Sequence, residues 1–495
     1  MVQWHTNRRR NCYRIWCAAW ICCLVQPSVG QEQPPPVRTW TDSTGQYSVE
    51  GSFVESERGV IRIRRQSDGA VVEVPFGRLS RADQRWLQDE VAKKRKPRKK
   101  EVTPPESPAV SSADWPTFRG ARRDGISPDR GLLQEWPQEG PPLLWKNSEI
   151  GSGYSGVAVA GGKVYVTGDA GGRLVVFAFD LDGNPQWKAE ADAAWTGDHP
   201  GSRATPTIDG DSVYVVSGNG MVACLDAGTG RGKWGVRMQE FGGQVPNWGY
   251  SESALIYNDL VVVTPGGARC IVALNKNTGQ PMWTTQGFQA GAQYSSNYLF
   301  NFGGLDIITN GTAEGIVGVD AKTGRTLWSN AFSAGNTANC PTPVFADGHV
   351  FWANGYGKGG ICLKLSGSGR NATAAEAWQT REMVCHHGGY IVENGYIYGN
   401  NNNAWTCLEL ATGKKMWEER GVGKGSLCAA DGRLYLFSEN NGEVGLAQYS
   451  PEGMEMKGTF RVEGDGPSWA HPVVIGGRLY LRYANNLYCF NVRAQ

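Results

Sequence analysis

The chain has 495 residues, among them 67 glycines and 19 tryptophans, and glycine without an every-third-residue rule excludes collagen and favours a turn-dense all-β protein. Its formal charge of +2 averages unlike regions. Lys93 to Lys100 hold seven basic groups in eight residues, whereas residues 113–495 carry 30 Lys/Arg against 35 Asp/Glu, which argues against a specific nucleic-acid-binding face there.

Residues 1–30 read as an export signal. Arg8, Arg9, Arg10 and Arg14 form a basic start, Ile15 to Val25 an apolar stretch of 11 residues, and Ser28-Val29-Gly30 a small-residue cleavage site. That stretch is too short to span a bilayer easily, and no later segment is apolar for long enough, so the mature chain is expected to have no transmembrane span. Export to the periplasm, the cell envelope or beyond is the expectation. The residues after the three arginines do not form a twin-arginine motif, which favours the general route.

Four of the 12 cysteines (Cys12, Cys17, Cys22 and Cys23) fall in that signal. Cys224, Cys270, Cys362, Cys407 and Cys489 sit in hydrophobic third strands and read as small buried hydrophobes. Cys340, Cys385 and Cys428 fall near innermost strands, where a disulfide is open to them if the geometry allows. No Cys-x-x-Cys pair suggests zinc or redox exchange.

Residues 36–91 form a separate small module. Tyr47 to Phe53 and Gly59 to Arg64 alternate as strands, Ser67-Asp68-Gly69 turns into Val71 to Pro75, and Ser80 caps a short helix from Arg81 to Glu90. Its residues Arg38-Thr-Trp40-Thr-Asp-Ser-Thr-Gly45, Phe53-Val54, Val74-Pro75, Leu79-Ser80 and Asp83-Gln84 resemble the Sla1 homology domain 1 family. The resemblance implies an SH3-like β module. It also implies recognition of a protein or glycan through Trp40, Tyr47 and Phe53, with a core role preferred for Phe53. The basic, Pro-rich linker 92–113 reads as a solvated spacer, with contact to an anionic polymer or lipid as the alternative.

Residues 114–142 lack a strand period and are expected to lie across the outside or bottom of the repeat domain. From 143 to 495 one phrase recurs: a strand, Asp or Asn, a turn with Gly, then Trp. It runs from Asp180 to Trp187, Asp226 to Trp234, Asn275 to Trp283 and Asp320 to Trp328, with weaker copies at Trp378, Trp417 and Phe460. With Trp145, the eight aromatic positions lie 39 to 50 residues apart, the period of a four-stranded propeller blade. The last copy ends one strand short, and Leu143 to Lys146 is expected to supply that strand, closing an eight-bladed β-propeller.

The Thr-Gly-x-x-x-Trp wording resembles the quinoprotein repeat of pyrroloquinoline-quinone (PQQ) dehydrogenases and of a propeller lipoprotein of outer-membrane assembly. The opening Asp114-Trp-Pro-Thr-Phe-Arg-Gly120, with Gly131 to Trp136 and Pro141 to Trp145, looks like planctomycete-type exported members. On such a disc the mouth is expected to be the only large concavity. Loops entering inner strands bring Tyr154, His199, Arg203, Asn247, Trp248, Tyr250, Glu252, Tyr294, Asn339, His386, His387, Lys424, Trp469 and His471 to it. Loops between second and third strands add Asn310, Asn354, Tyr356, Lys358, Asn400 to Asn403, Asn440, Arg482 and Tyr483. Arg203, Trp248, Glu252, Asn339, His386, Lys424, Trp469, His471 and Arg482 are the ligand-binding candidates, suited to an anionic or sugar-like ligand.

Adjacent strand residues point to opposite sides, so His386 and His387 are not expected to share a metal, and no metal site is expected. The dehydrogenase resemblance would require PQQ with calcium and a catalytic base, for which Glu252 is the candidate. Against it, the propeller has no adjacent Cys pair, no Cys-x-x-Cys-His and no cluster resembling the family's calcium ligands. The favoured expectation is a non-catalytic exported binding or assembly scaffold, without a cofactor, meeting envelope proteins. A PQQ-dependent alcohol or sugar dehydrogenase and a glycan-binding propeller are the alternatives.

Overall fold

The computed structural model describes residues 37–57, 60–84, 86–87, 114–402 and 404–494. The leader with its four cysteines, the basic linker, residues 88–90 of the expected helix and Asn403 lie outside the described residues. The chain divides into two compact units, Met1–Glu101 and Val102–Gln495.

The first unit is a four-stranded antiparallel meander, Val37–Thr41, Ser48–Glu57, Val60–Arg65 and Val71–Pro75. Its family motif builds its own core. Asp83, 3% exposed, accepts from Arg38 at 2.6 Å, from the Thr41 amide at 2.9 Å and from the Ser80 hydroxyl at 2.8 Å. Trp40, expected at a recognition surface, is instead 1% exposed, and its indole N–H donates to Gly51 O at 3.0 Å. Phe53 is also buried, while Tyr47 is 74% exposed. Trp40 lies inside because its strand is pinned through Arg38 and Thr41 to the buried carboxylate of Asp83.

The second unit contains eight four-stranded antiparallel sheets. Seven use consecutive strands, from Ala158–Ala160 through Gly453–Arg461. The eighth joins Val473–Ile475, Arg478–Tyr483 and Asn486–Asn491 to Leu143–Asn147, with Trp145 paired to Cys489. This is the expected eight-bladed propeller, closed by its own amino-proximal strand, so that no blade is left with a missing outer strand.

The repeat works as a latch between neighbours. A Cβ built on Gly183, Gly230, Gly279, Gly324 or Gly413 would lie 2.4–2.7 Å from Trp145, Trp187, Trp234, Trp283 or Trp378 respectively, the tryptophan of the preceding blade. These glycines have φ between 73° and 83°, so the turn needs glycine for conformation and for the indole's approach. Trp145, Trp187, Trp234 and Trp378 also donate to Leu181, Ala227, Lys276 and Leu410 carbonyls of the next blade at 2.8–3.1 Å. The cross-strand partner of each tryptophan is small: Ala178, Cys224, Ala273, Gly318, Cys362, Cys407 or Cys489. These cysteines are therefore buried because an indole lies across them, and all eight described cysteines are free thiols.

The segment before the first blade crosses the ring. Trp115 bridges to Val159, Ile126 to Ala429 and Leu132 to Arg493. Between these contacts Arg119 and Arg123, each 3% exposed, reach inner strands on other blades. Arg119 donates to the Tyr390 carbonyl, and Arg123 to Ser253 O and Asn297 O at 3.0 Å and to Ala254 O.

Candidate functional site at the propeller mouth

A pocket of about 190 Å³ opens where the loops entering the inner strands converge, with Phe118 of the crossing segment among its lining residues. The mouth is not the only large concavity. A groove of about 470 Å³ lies beside the turns at Gly161, Gly210 and Asn258, at the opposite ends of the strands, and another of about 590 Å³ beside Ser148 to Tyr154. The mouth is the candidate because aromatic, imidazole and cationic groups converge there.

Five of the nine candidates line it: Arg203, Trp248, His386, Trp469 and His471. Tyr154, His199, Tyr294, Tyr356 and His387 complete the aromatic wall. Trp469 is the centre. His387 stacks on it at 4.3 Å between ring centroids and 26° between planes, Tyr154 lies at 4.5 Å, and His199 meets it edge-on at 5.0 Å. On the far wall Trp248 and Tyr294 pack at 5.6 Å.

Arg203 sits 5.7 Å from the Tyr154 ring centroid and 5.5 Å from that of Trp195. Its guanidinium donates to the Trp248 carbonyl, to Asp198 O at 2.9 Å and to His199 O at 2.7 Å. Among the described residues no carboxylate lies within ion-pair distance of it, and Asp169 acts on it only from further away. Lys424 stands just behind the lining, 3.1 Å from Glu439 Oε2 and 3.2 Å from His386 Nδ1. Burial alone would raise the Glu439 carboxyl, but His387 and Lys424 beside it bring it down to about 2. Burial lowers both imidazoles, His386 to about 3 with help from the neighbouring His387 and Lys424, so both rings are neutral at pH 7.

Three candidates lie beneath the lining. Asn339 is fully buried and spans Gln293 Oε1 at 3.0 Å and Gly335 O at 2.9 Å. Arg482, 2% exposed, ties the last blade to the first through Ser155 Oγ at 2.6 Å, Gly151 O at 3.1 Å and the Thr167 carbonyl. Glu252, also 2% exposed, accepts from the Thr264 amide and from Asn297 Nδ2 at 3.1 Å. Among the described residues of the second loop set only Tyr356 reaches the pocket; Asn310, Asn354 and Asn400 are buried at the ends of second strands. Asn400 donates to Ala404 O at 3.0 Å and Gly423 O at 3.3 Å, and Asn310 to Thr264 Oγ1 at 2.6 Å, so these amides are engaged inside the wall.

The two histidines also depart from expectation. Residues 386–388 precede the strand Tyr390–Glu393 and form a bend, so strand alternation does not apply. Their ring centroids lie 3.7 Å apart on the same side. Phe118 and Cys340 also line the pocket; the sequence marked Phe118 within the opening motif and Cys340 near an innermost strand, but neither was expected at the mouth.

Glu252 gives the interior a pH dependence. Burial pushes its carboxyl up to about 7, against the Thr264 hydrogen bonds and the Arg123 charge. A folded value above the ordinary one favours the protonated form, so this stabilisation is complete below about pH 4.5 and is lost as pH rises through about 7. Glu252→Gln is expected to remove that loss. Urea midpoints compared at about pH 5 and pH 8 should show the variant gaining on the parent at the higher pH. Equal pH slopes in the two proteins would refute it; Asp169, raised to about 6 by burial, is common to both.

Fold and mouth together define a closed eight-bladed propeller with an aromatic axial pocket that carries a cation, Arg203, in its lining. A family model described as outer membrane protein assembly factor BamB matches residues 136–245 and 172–419, more than half of the chain, and the chain belongs to that family. The model of SLA1 homology domain 1 matches residues 30–95. There the actin cytoskeleton-regulatory complex protein SLA1 of Mycosarcoma maydis is 35% identical over 75 residues, which are 15% of this chain and 6% of that protein.

Among solved structures, BamB from Moraxella catarrhalis is similar at a TM-score of 0.50 and 15% identity, over 71% of this chain and 99% of that one. Quinohemoprotein alcohol dehydrogenase from Comamonas testosteroni gives 0.57 and 14%, over 77% and 81%. The computationally designed Ika8 protein gives 0.52 and 12%, over 71% and 100%. An assembly factor, an enzyme and a designed protein share this fold, so the fold by itself assigns no activity.

Proposed function

We propose that this chain is a non-catalytic binding module of the cell envelope, whose propeller mouth captures an anionic group or aromatic side chain presented by a protein partner. The observation that carries this reading is the division of labour at the axis. Aromatic rings and the Arg203 guanidinium line the pocket, whereas Glu252, the carboxylate a dehydrogenase would use as base, is buried below and already accepts two hydrogen bonds.

The residues present do not fit PQQ with calcium. The broad ring available for stacking, Trp469, is already covered by His387 and flanked by Tyr154. Calcium takes oxygen ligands, and the donors converging here are imidazole and thiol. Membership in the assembly-factor family supports a protein partner, and export to the envelope agrees with the sequence of residues 1–30. Among the described residues no helix is long and apolar enough to cross a membrane.

The test is capture by crosslinking in an envelope fraction. Trp469→Ala is expected to abolish recovery of a partner that the parent chain recovers reproducibly, since removing a central aromatic anchor costs about 2 kcal/mol or more, roughly thirtyfold in affinity. Stoichiometric uptake of PQQ with calcium, accompanied by dye-linked oxidation of an alcohol or sugar, would replace this reading with the enzyme.

A further inference from the structure

Three side chains with metal-ligating atoms meet in the mouth from two neighbouring blade entrances. Cys340 lies before the inner strand Val344–Ala346, and His386 and His387 before Tyr390–Glu393. The thiol and a ring nitrogen of each histidine all lie within 4.8 Å of one another, and all three residues line the pocket. His386 Nε2 is buried without a hydrogen-bond partner, and His387 Nδ1 is buried with only the Glu439 carboxylate near it, at 3.9 Å. Buried polar atoms are nearly always paired, and a cation is a partner that imidazole nitrogens and a thiolate can share.

We propose that Cys340, His386 and His387 form a three-ligand site for a borderline first-row cation, zinc in the first instance, with its remaining coordination position turned to the pocket. The donor set decides the class. Calcium and magnesium require oxygen, whereas thiolate with imidazole suits zinc and copper. Ligand distances of about 2.0–2.3 Å place tetrahedral donors roughly 3.5 Å apart, so the set closes by roughly 1 Å through side-chain rotation.

Charge balance also permits the site. Binding displaces the Cys340 proton to solvent, and the thiolate supplies one negative charge. Lys424 is the nearest cation, but Glu439 stands 3.1 Å from it and neutralises it. The same carboxylate is 3.9 Å from His387 Nδ1, so Nδ1 faces the orienting acid that ligating imidazoles commonly keep and Nε2 is left for the cation. The proposal goes beyond partner capture and does not depend on it, because cation uptake and partner recovery are read separately.

The test uses the untagged full chain, reduced and stripped with chelator, then offered zinc and desalted. By elemental analysis the parent is expected to retain one equivalent more than Cys340→Ser, His386→Gln or His387→Gln. Because the comparison is a difference, cysteines elsewhere in the chain cancel. His349→Gln, outside the pocket, should retain the parent's content. Chelator competition should show each ligand variant weakened at least about tenfold.

Cobalt(II) added to the parent should give thiolate-to-metal charge-transfer absorption that His386→Gln and His387→Gln weaken and Cys340→Ser loses, which separates Cys340 from the other cysteines. Equal zinc content in the parent and all three folded variants, or cobalt uptake without a thiolate band, overturns the site. Tighter binding of copper than zinc, with the same variant dependence, supports the ligand set and changes the preferred ion.

Discussion

Arg123→Ala is expected to be among the most destabilising single substitutions in the propeller. The guanidinium serves Ser253 O, Asn297 O, Ala254 O and Thr117 Oγ1, joining the crossing segment to the third and fourth blades, and it is the cation nearest in effect to buried Glu252. Alanine leaves Ser253 O and Asn297 O without their donor in a site that is 3% exposed, while Ala254 O keeps the Thr207 hydroxyl at 2.8 Å. At about 1–3 kcal/mol for each buried polar group left unpaired, and with water entering part of the space, the expected loss is about 3–5 kcal/mol. Arg123→Lys should recover only part of this, because a point charge cannot reproduce a planar fork that serves acceptors on two nitrogens. Urea unfolding measures it, with Arg130→Ala, an exposed position in the same segment, as reference. A midpoint no lower than that of the reference would show that the crossing segment does not hold the ring.

The second large effect is at the closure. Trp145 pairs with Cys489, donates to Leu181 O at 2.8 Å and lies under Gly183, so one side chain fastens the eighth blade internally and to the first. Trp145 is half-buried, and a fully buried aromatic covers roughly 150–250 Å² and costs about 3–5 kcal/mol on truncation to alanine, so the loss here is expected at or below the lower end of that range. Trp234→Ala removes the same latch between the second and third blades but leaves the ring closed. Trp145→Ala is therefore expected to lower the thermal midpoint further than Trp234→Ala and, unlike it, to yield oligomers on gel filtration, since a loosened closing strand exposes a ladder edge. Identical behaviour of the two variants would argue that closure adds nothing to the latch.

The ring was legible in sequence because its grammar is local. Gly at positive φ, a small residue across the ladder and Trp at a fixed distance belong to one hairpin, and the next copy need only repeat them. The small module was legible for a similar reason, although its motif proved to describe a core: Trp40 and Asp83 hold the fold rather than present a surface. The mouth was half legible. Counting loops brought Arg203, Trp248, His386, Trp469 and His471 to the correct end, because blade order dictates which loops share a face. Counting could not tell a lining residue from one just beneath it, so Glu252, Asn339 and Arg482 were expected in the same place.

What the amino-acid order determined by itself was the number of blades, their closure and the side of the disc on which the candidate groups gather, each set by hydrogen bonding and packing within a few dozen residues. Only the tertiary structure decided depth. Whether a side chain faces the pocket or the wall depends on contacts among loops 40 or more residues apart, as when Arg203 bonds the Trp248 carbonyl or Cys340 meets His386. Phe118 and Arg123 enter the axis for the same reason. A segment without strand period leaves no pattern of its own, and its path is set by the carbonyls and the carboxylate that the assembled blades present to it.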